Sequence, residues 1–267
     1  MRVDVNGLGL HIQDEGSGRP VLLLHGFPDS SRLWRHQVPV LTAAGFRCIV
    51  PDLRGFGDSD KPAEVTAYAL PNLLADVVGL LDRLEIPKTH VVGHDWGAAV
   101  AWLTASLLPE RVDSLVAVSV GFPTAFAAAG YEQRQRSWYM LLFQFANVAE
   151  QWLSMDNSRN FREWSGHPDA DEVIAKLEDG ALTPALNWYR ANVAPETLLT
   201  GPPELPPVQP TTMGIWSSGD TFLTETQMTD SSRYVSGRWR YERVEGVGHW
   251  LPLEKPEELN RLLLDFF

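Results

Sequence analysis

Gly93-His94-Asp95-Trp96-Gly97 constrains this chain more than any other stretch. The run from Lys88 to Val92 before it reads as a short buried strand, and the run from Ala98 to Leu108 after it reads as a helix. Five residues must therefore turn the chain sharply between two apolar elements. Glycines at 93 and 97 permit the crowding, because neither brings a Cβ to the neighbouring backbone. The Trp96 amide stands at the helix start, where unpaired N–H groups and the helix dipole favour negative charge. The pattern predicts an exposed, ionised aspartate at the tip of a strand-turn-helix elbow. The plainer alternative is that Asp95 caps the helix, as aspartate often does.

An aspartate in that position does what a serine cannot. Attacking a saturated carbon, serine would form an ether and stop. Aspartate forms an alkyl ester, whose acyl carbon water then attacks, returning the carboxylate. The residue type thus predicts a two-step displacement, provided a base and an acceptor for the oxyanion stand nearby.

Both appear in chain order. The strand-like run from Trp239 to Val244 leads into Gly246-Val247-Gly248-His249-Trp250, which puts His249 on a loop after the last strand as general base. The apolar run from Thr212 to Ser217 ends at Ser218-Gly219-Asp220, where Asp220 can orient the imidazole. Ser119-Val120-Gly121-Phe122-Pro123, after the preceding strand, has no carboxylate to compete for that role. The order nucleophile, acid, histidine is that of α/β-hydrolases. Upstream, Val21 to Leu24 ends in His25-Gly26-Phe27-Pro28, so the backbone N–H groups of Phe27 and Trp96 are the expected oxyanion donors. One such donor contributes about 2.7 to 4 kcal/mol in a transition state. His25 itself reads as a buried structural residue, and Asp52 and Arg54 read as charges that organise their loop.

With H-G-F-P at 25–28, D-L-R-G-F-G at 52–57, G-H-D-W-G at 93–97 and G-H-W at 248–250, the chain resembles the epoxide hydrolases of the α/β-hydrolase superfamily along nearly its whole length. The resemblance implies a mostly parallel central sheet flanked by helices, with an inserted, mainly helical cap. It also implies a small neutral epoxide and water as substrates, with no cofactor or metal. Tyr139 and Tyr189 look like the family's pair of lid tyrosines. An epoxide oxygen becomes a strongly basic alkoxide, and a phenol with an ordinary pKa of about 10 remains protonated to donate to it. Trp96, Trp138 and Trp188 are the expected substrate-binding aromatics. G-H-D-W-G-G is the frequent family form, and Ala98 departs from it by one methyl.

Haloalkane or haloacid dehalogenases use the same Asp-His-Asp arrangement and supply the alternative reading. Trp96, with Trp138 or Trp188, offers indole N–H groups to a leaving halide. Against this, Phe27 stands where many haloalkane dehalogenases carry asparagine. Fluoroacetate dehalogenases place arginines where this chain has Trp96 and Val100, and a lid histidine where it has Ser137. A ligand-binding receptor with little turnover is a further alternative, disfavoured by the complete set of catalytic residue types. Cys48, the single cysteine, lies in an apolar run and reads as core, so no disulfide framework is expected.

Alternating strand-like and helix-like segments, among them Leu70 to Leu84 and Pro256 to Phe267 as helices, predict a helix-covered sheet at 1–121 and 208–267. The aromatic-rich segment 122–207 is the expected cap insertion, returning through Gly201 to Pro207. The formal charge of −12 argues against nonspecific nucleic-acid binding and mildly against anionic substrates. The apolar runs fall short of the roughly 20 residues needed to span a bilayer, and Met1 to Asn6 lacks an apolar signal core. A cytoplasmic protein without stable membrane insertion is expected; the oligomeric state is not encoded in any motif.

Overall fold

The computed structural model describes residues 1–201 and 204–267. Pro202 and Pro203, within the expected return linker, lie outside the described residues. Eight strands form one sheet: β1 (Arg2–Val5), β2 (Leu8–Gly16), β3 (Arg19–Leu24), β4 (Phe46–Pro51), β5 (Thr89–His94), β6 (Val112–Val118), β7 (Thr211–Ser217) and β8 (Trp239–Val244). Their spatial order is β1-β2-β4-β3-β5-β6-β7-β8. The β1-β2 and β2-β4 pairs are antiparallel, and the rest of the sheet is parallel. Central strands are buried on both faces, as in β5 where every residue is buried, because helices cover both sides of the sheet.

The helices are α1 (Val38–Ala43), α2 (Leu70–Arg83), α3 (Trp96–Leu107), α4 (Pro123–Ala128), α5 (Gly130–Arg136), α6 (Trp138–Leu142), α7 (Val148–Ser165), α8 (Ala170–Lys176), α9 (Leu182–Asn192), α10 (Thr197–Thr200), α11 (Glu225–Thr229), α12 (Leu251–Glu254) and α13 (Pro256–Phe266). α4 to α10 form a helical insertion between β6 and β7. α7 is interrupted at Met155–Ser158, where Asp156, Asn157 and Ser158 adopt positive φ.

Two apolar cores lie on opposite faces of the sheet. One joins α2 and α3 to the insertion through Trp102, Phe143, Leu186 and Trp188; the other packs α1 and α13 through Trp34, Leu41, Leu259 and Leu263. Cys48 sits in the second, where burial and then the charge of Glu15 push its thiol up to about 12. Among the described residues, no helix is long and apolar enough to cross a membrane.

The carboxyl ends of the parallel strands, with the loops that follow them, face the insertion. β5 ends at Asp95, β7 leads to Asp220 and β8 leads to His249. In an open parallel sheet this is the edge where loops converge, so residues distant in sequence meet there.

Candidate active site

Asp95 occupies the elbow between β5 and α3 with φ 52° and ψ −123°, a backbone conformation that few non-glycine residues adopt. Gly97 makes the turn possible: a Cβ there would collide with the carbonyl oxygens of Leu24 and His25. Gly26 serves the same purpose from β3, since a Cβ on it would run into the Asp95 carboxylate.

The side chain makes no capping bond to α3. It is aimed across the sheet edge instead, where the Phe27 N–H donates to Asp95 Oδ1 at 2.9 Å and the Trp96 amide also serves the carboxylate. This corrects both the helix-cap alternative and the expected exposure. Asp95 is only 8% exposed, because the insertion roofs it. Burial raises its pKa, opposed by the His249 charge and the two amides.

Behind the carboxylate, His249 Nδ1 lies 2.8 Å from Asp220 Oδ2, and His249 Nε2 lies 3.7 Å from Asp95 Oδ2. The first is a hydrogen-bond distance and the second is not, so the ring is held by the acid and its Nε2 makes no direct bond to Asp95. Asp220 is itself fixed, its Oδ1 accepting from the Phe222 and Leu223 amides at 2.8 and 2.9 Å. Burial alone would lower the His249 pKa; the charge and hydrogen bond of Asp220, then Asp95, raise it.

Tyr139 from α6 and Tyr189 from α9 form the roof, 3% and 2% exposed, with ring centroids 6.0 Å apart. Tyr189 packs edge-on against Phe27 at 5.4 Å and Trp96 at 5.2 Å, and Tyr139 lies against Trp164 at 4.9 Å and Phe222 at 5.6 Å. Phe222 in turn packs 5.2 Å from the His249 ring. Burial first, then the Asp95 charge, holds both phenols well above the ordinary tyrosine range. Both phenols therefore stay protonated, in a buried aromatic cluster close enough to Asp95 to feel its charge.

The three expected substrate-binding tryptophans are placed differently. Trp188 is fully buried and its indole N–H donates to the Arg54 carbonyl at 2.9 Å, which commits it to packing. Trp138 is 48% exposed, packs against Trp152, and lines an outer groove of about 490 Å³ that reaches inward only as far as Trp164 and Phe222. Trp96 packs edge-on against both Tyr189 and Trp188, at 5.2 and 5.8 Å.

Several neighbours had no visible signal in the sequence. The His94 Nε2–H donates to the His249 carbonyl at 2.9 Å, and burial, then the His249 charge, lowers its pKa to about 3. Asp29 and His167 form a buried pair, 3.3 Å apart, between the β3 loop and the insertion. Their partners lie more than a hundred residues away, so only the fold reveals them. His25 takes the Leu53 N–H on Nε2 at 2.9 Å and has Nδ1 on the Gly26 carbonyl, a structural arrangement. Asp52 accepts from the Ser31 and Asp58 amides, while Arg54 pairs with Asp76. Among the described residues, His11, Asp52 and Asp58 have metal-like spacing, but the Asp52 oxygens are already engaged by those amides, and the group is separate from the Asp95 set.

A buried carboxylate on a strand-to-helix elbow, two backbone amides facing it, and a histidine-acid pair from the next loops define an α/β-hydrolase. A family model described as the alpha/beta hydrolase fold matches residues 19–256, and the chain belongs to that family of enzymes. Epoxide hydrolase A of Mycobacterium tuberculosis (strain ATCC 25618 / H37Rv) is 32% identical over 317 residues, which cover 99% of this chain and 95% of that protein. Epoxide hydrolase 3 of Siraitia grosvenorii is also 32% identical, covering 99% of this chain and 96% of its own. The crystal structure of the Bacillus megaterium epoxide hydrolase with an inhibitor matches with a TM-score of 0.91 at 28% identity, over 100% of this chain and 99% of that one.

Proposed function

We propose that the protein is an epoxide hydrolase that converts a small neutral epoxide and water to a vicinal diol through an ester on Asp95. The observation that carries this reading is the pair of buried phenols, Tyr139 and Tyr189, roofing a carboxylate whose other side meets His249. Residues 122–207 act as the cap that encloses the substrate.

In the first step Asp95 Oδ2 attacks a ring carbon. The carbon-oxygen bond opens, and a phenol proton passes to the departing oxygen. Oδ1, held by the Phe27 amide, becomes the ester carbonyl. In the second step His249 takes a proton from water, whose oxygen adds to the acyl carbon. The resulting oxyanion is met by the Phe27 and Trp96 amides. Collapse expels the substrate oxygen, which takes the remaining proton of the added water to complete the diol and leave the carboxylate, and the proton held by His249 returns to the phenolate. Asp220 keeps the imidazole oriented and stabilises its cationic form. The scheme uses no metal or cofactor.

Halide release is the second reading. It needs indole donors for the anion beside Asp95; the Trp188 N–H is taken by the Arg54 carbonyl and Trp138 is half exposed on an outer groove, which leaves Trp96 unassisted. That favours ring opening. Single-turnover reaction in heavy-oxygen water, with excess enzyme, tests the scheme: the label should enter Asp95 and be absent from the first diol. Label in the first diol would overturn the ester. Parallel assays with epoxides and haloalkanes separate the two readings, and Tyr139→Phe with Tyr189→Phe should abolish most epoxide turnover, with a loss on the order of 100-fold or more.

A further inference from the structure

The turn from Asp220 to Thr224, which presents the acid to His249, is gripped from outside by α5. Gln133 is 2% exposed and engages both ends of its amide. Its Oε1 accepts from the Thr224 N–H at 2.8 Å and the Thr224 hydroxyl at 3.0 Å; its Nε2 donates to the Phe222 carbonyl and the Ser137 hydroxyl, each at 2.8 Å. One turn later, Arg136 Nη1 donates to the carbonyls of Asp220 at 2.6 Å and Leu223 at 3.0 Å, and Nη2 pairs with Glu132 at 2.8 Å. From β7, the Trp216 indole adds 3.2 Å support to the Leu223 carbonyl.

The backbone of this turn is thus divided between two clients. The amides of Phe222 and Leu223 point inward to Asp220 Oδ1, while the carbonyls of Asp220, Phe222 and Leu223 point outward to the insertion. Pulling on the outward set rotates the inward set, and with it the carboxylate that holds the imidazole.

We propose that Gln133 and Arg136 are positioning residues for the second half of the reaction, holding the Asp220 turn so that His249 is aligned as a base only while α5 is seated on it. The inference rests on the roles given to Asp95, Asp220 and His249 above. Ester formation needs Asp95 and the phenols; ester hydrolysis alone needs an aligned His249. Loss of the grip therefore affects one half-reaction and spares the other, whereas general loosening of the insertion would affect both.

The test uses the full chain with Gln133→Leu, Arg136→Met and Arg136→Lys, styrene oxide and 1,2-epoxyhexane as probes, quenched-flow kinetics, and intact mass to count esterified enzyme. Gln133→Leu and Arg136→Met should form the ester at a near wild-type rate and hydrolyse it about 10-fold or more slowly. Enzyme carrying the mass of the epoxide then accumulates, and kcat and KM fall together. The acid limb of hydrolysis should move to lower pH, because an imidazolium that loses Asp220 is easier to deprotonate. Arg136→Lys, which keeps a cationic donor, should recover most of the rate.

Equal slowing of both halves with an unmoved pH profile would overturn the proposal, as would unchanged hydrolysis. Should Gln133→Leu fail to fold, Arg136→Met decides, since that side chain is 31% exposed and its removal leaves no cavity in the core. His249→Gln is the control. If it traps no ester, the reading of the site fails; if it traps ester while the α5 variants turn over normally, only the positioning role fails.

Discussion

His249 is pulled two ways, and the outcome sets a pH dependence. Burial opposes its charged form, yet the charge and hydrogen bond of Asp220, with Asp95 adding, raise its pKa above the ordinary imidazole value of about 6.5. A base must be neutral to accept a proton; in the proposed ester Asp95 has lost its charge but Asp220 still faces the ring, so hydrolysis switches on only as pH rises through a value that Asp220 holds up. Single-turnover hydrolysis measured across pH should show its acid limb above the ordinary imidazole value. Asp220→Asn should bring the limb down while slowing the step. A limb unmoved by that substitution would remove Asp220 from its assigned role. The phenols behave oppositely: burial first, then the Asp95 charge, keeps Tyr139 and Tyr189 protonated, so ring opening should persist to alkaline pH.

At the level of elements, the loop after β4 is tied to α2 by Arg54, whose Nε and Nη2 meet both Asp76 oxygens at 2.8 and 2.6 Å. Their side chains are 12% and 6% exposed, so Asp76→Ala would strand a buried guanidinium. A loss of about 3 to 5 kcal/mol is expected, read as a fall in the urea midpoint with little change in KM. The same Arg54 offers its carbonyl to Trp188 of α9, which explains why the tryptophan could not be understood from its own neighbourhood. Indole chemistry was visible in the sequence; the acceptor 134 residues away was not. The elbow, by contrast, was legible because its cause is local. Gly93 and Gly97 flank a residue forced into a rare backbone conformation, and apolar runs on either side identify the strand and helix. Asp220 and His249 were legible for a similar reason, since Asp220 follows an apolar run and His249 follows a strand-like one. Gln133 and Arg136 sit in a polar stretch of a short helix, where nothing distinguishes a buried amide from a solvated one.

Across the whole molecule, one of the seams that fasten the insertion to the core is made of polar pairs. His167 meets Asp29, the Trp250 indole donates to the Ser165 carbonyl at 3.0 Å, Arg35 pairs with Asp169 at 2.7 Å, and Lys176 pairs with Asp58 at 3.1 Å. The exposed pairs contribute little individually; the buried one matters more. Burial would raise the Asp29 pKa, but the charge and hydrogen bond of His167 lower it. A depressed carboxylate contributes stability that is fully present above its unfolded pKa of about 3.9 and is lost as pH falls through the folded value. His167→Phe should therefore destabilise the protein at neutral pH, with the difference from wild type shrinking toward acid; denaturation curves at a series of pH values check the sign. The layered fold and its helical insertion followed from alternation and aromatic content, whereas this seam required knowing which surfaces meet. Phe222 shows what such meeting implies. Its amide serves Asp220, its carbonyl is held by Gln133, and its ring separates the outer groove from His249 and Tyr139. Replacing that ring would reshape the wall of the groove and disturb the histidine behind it at once, so the two are expected to change together.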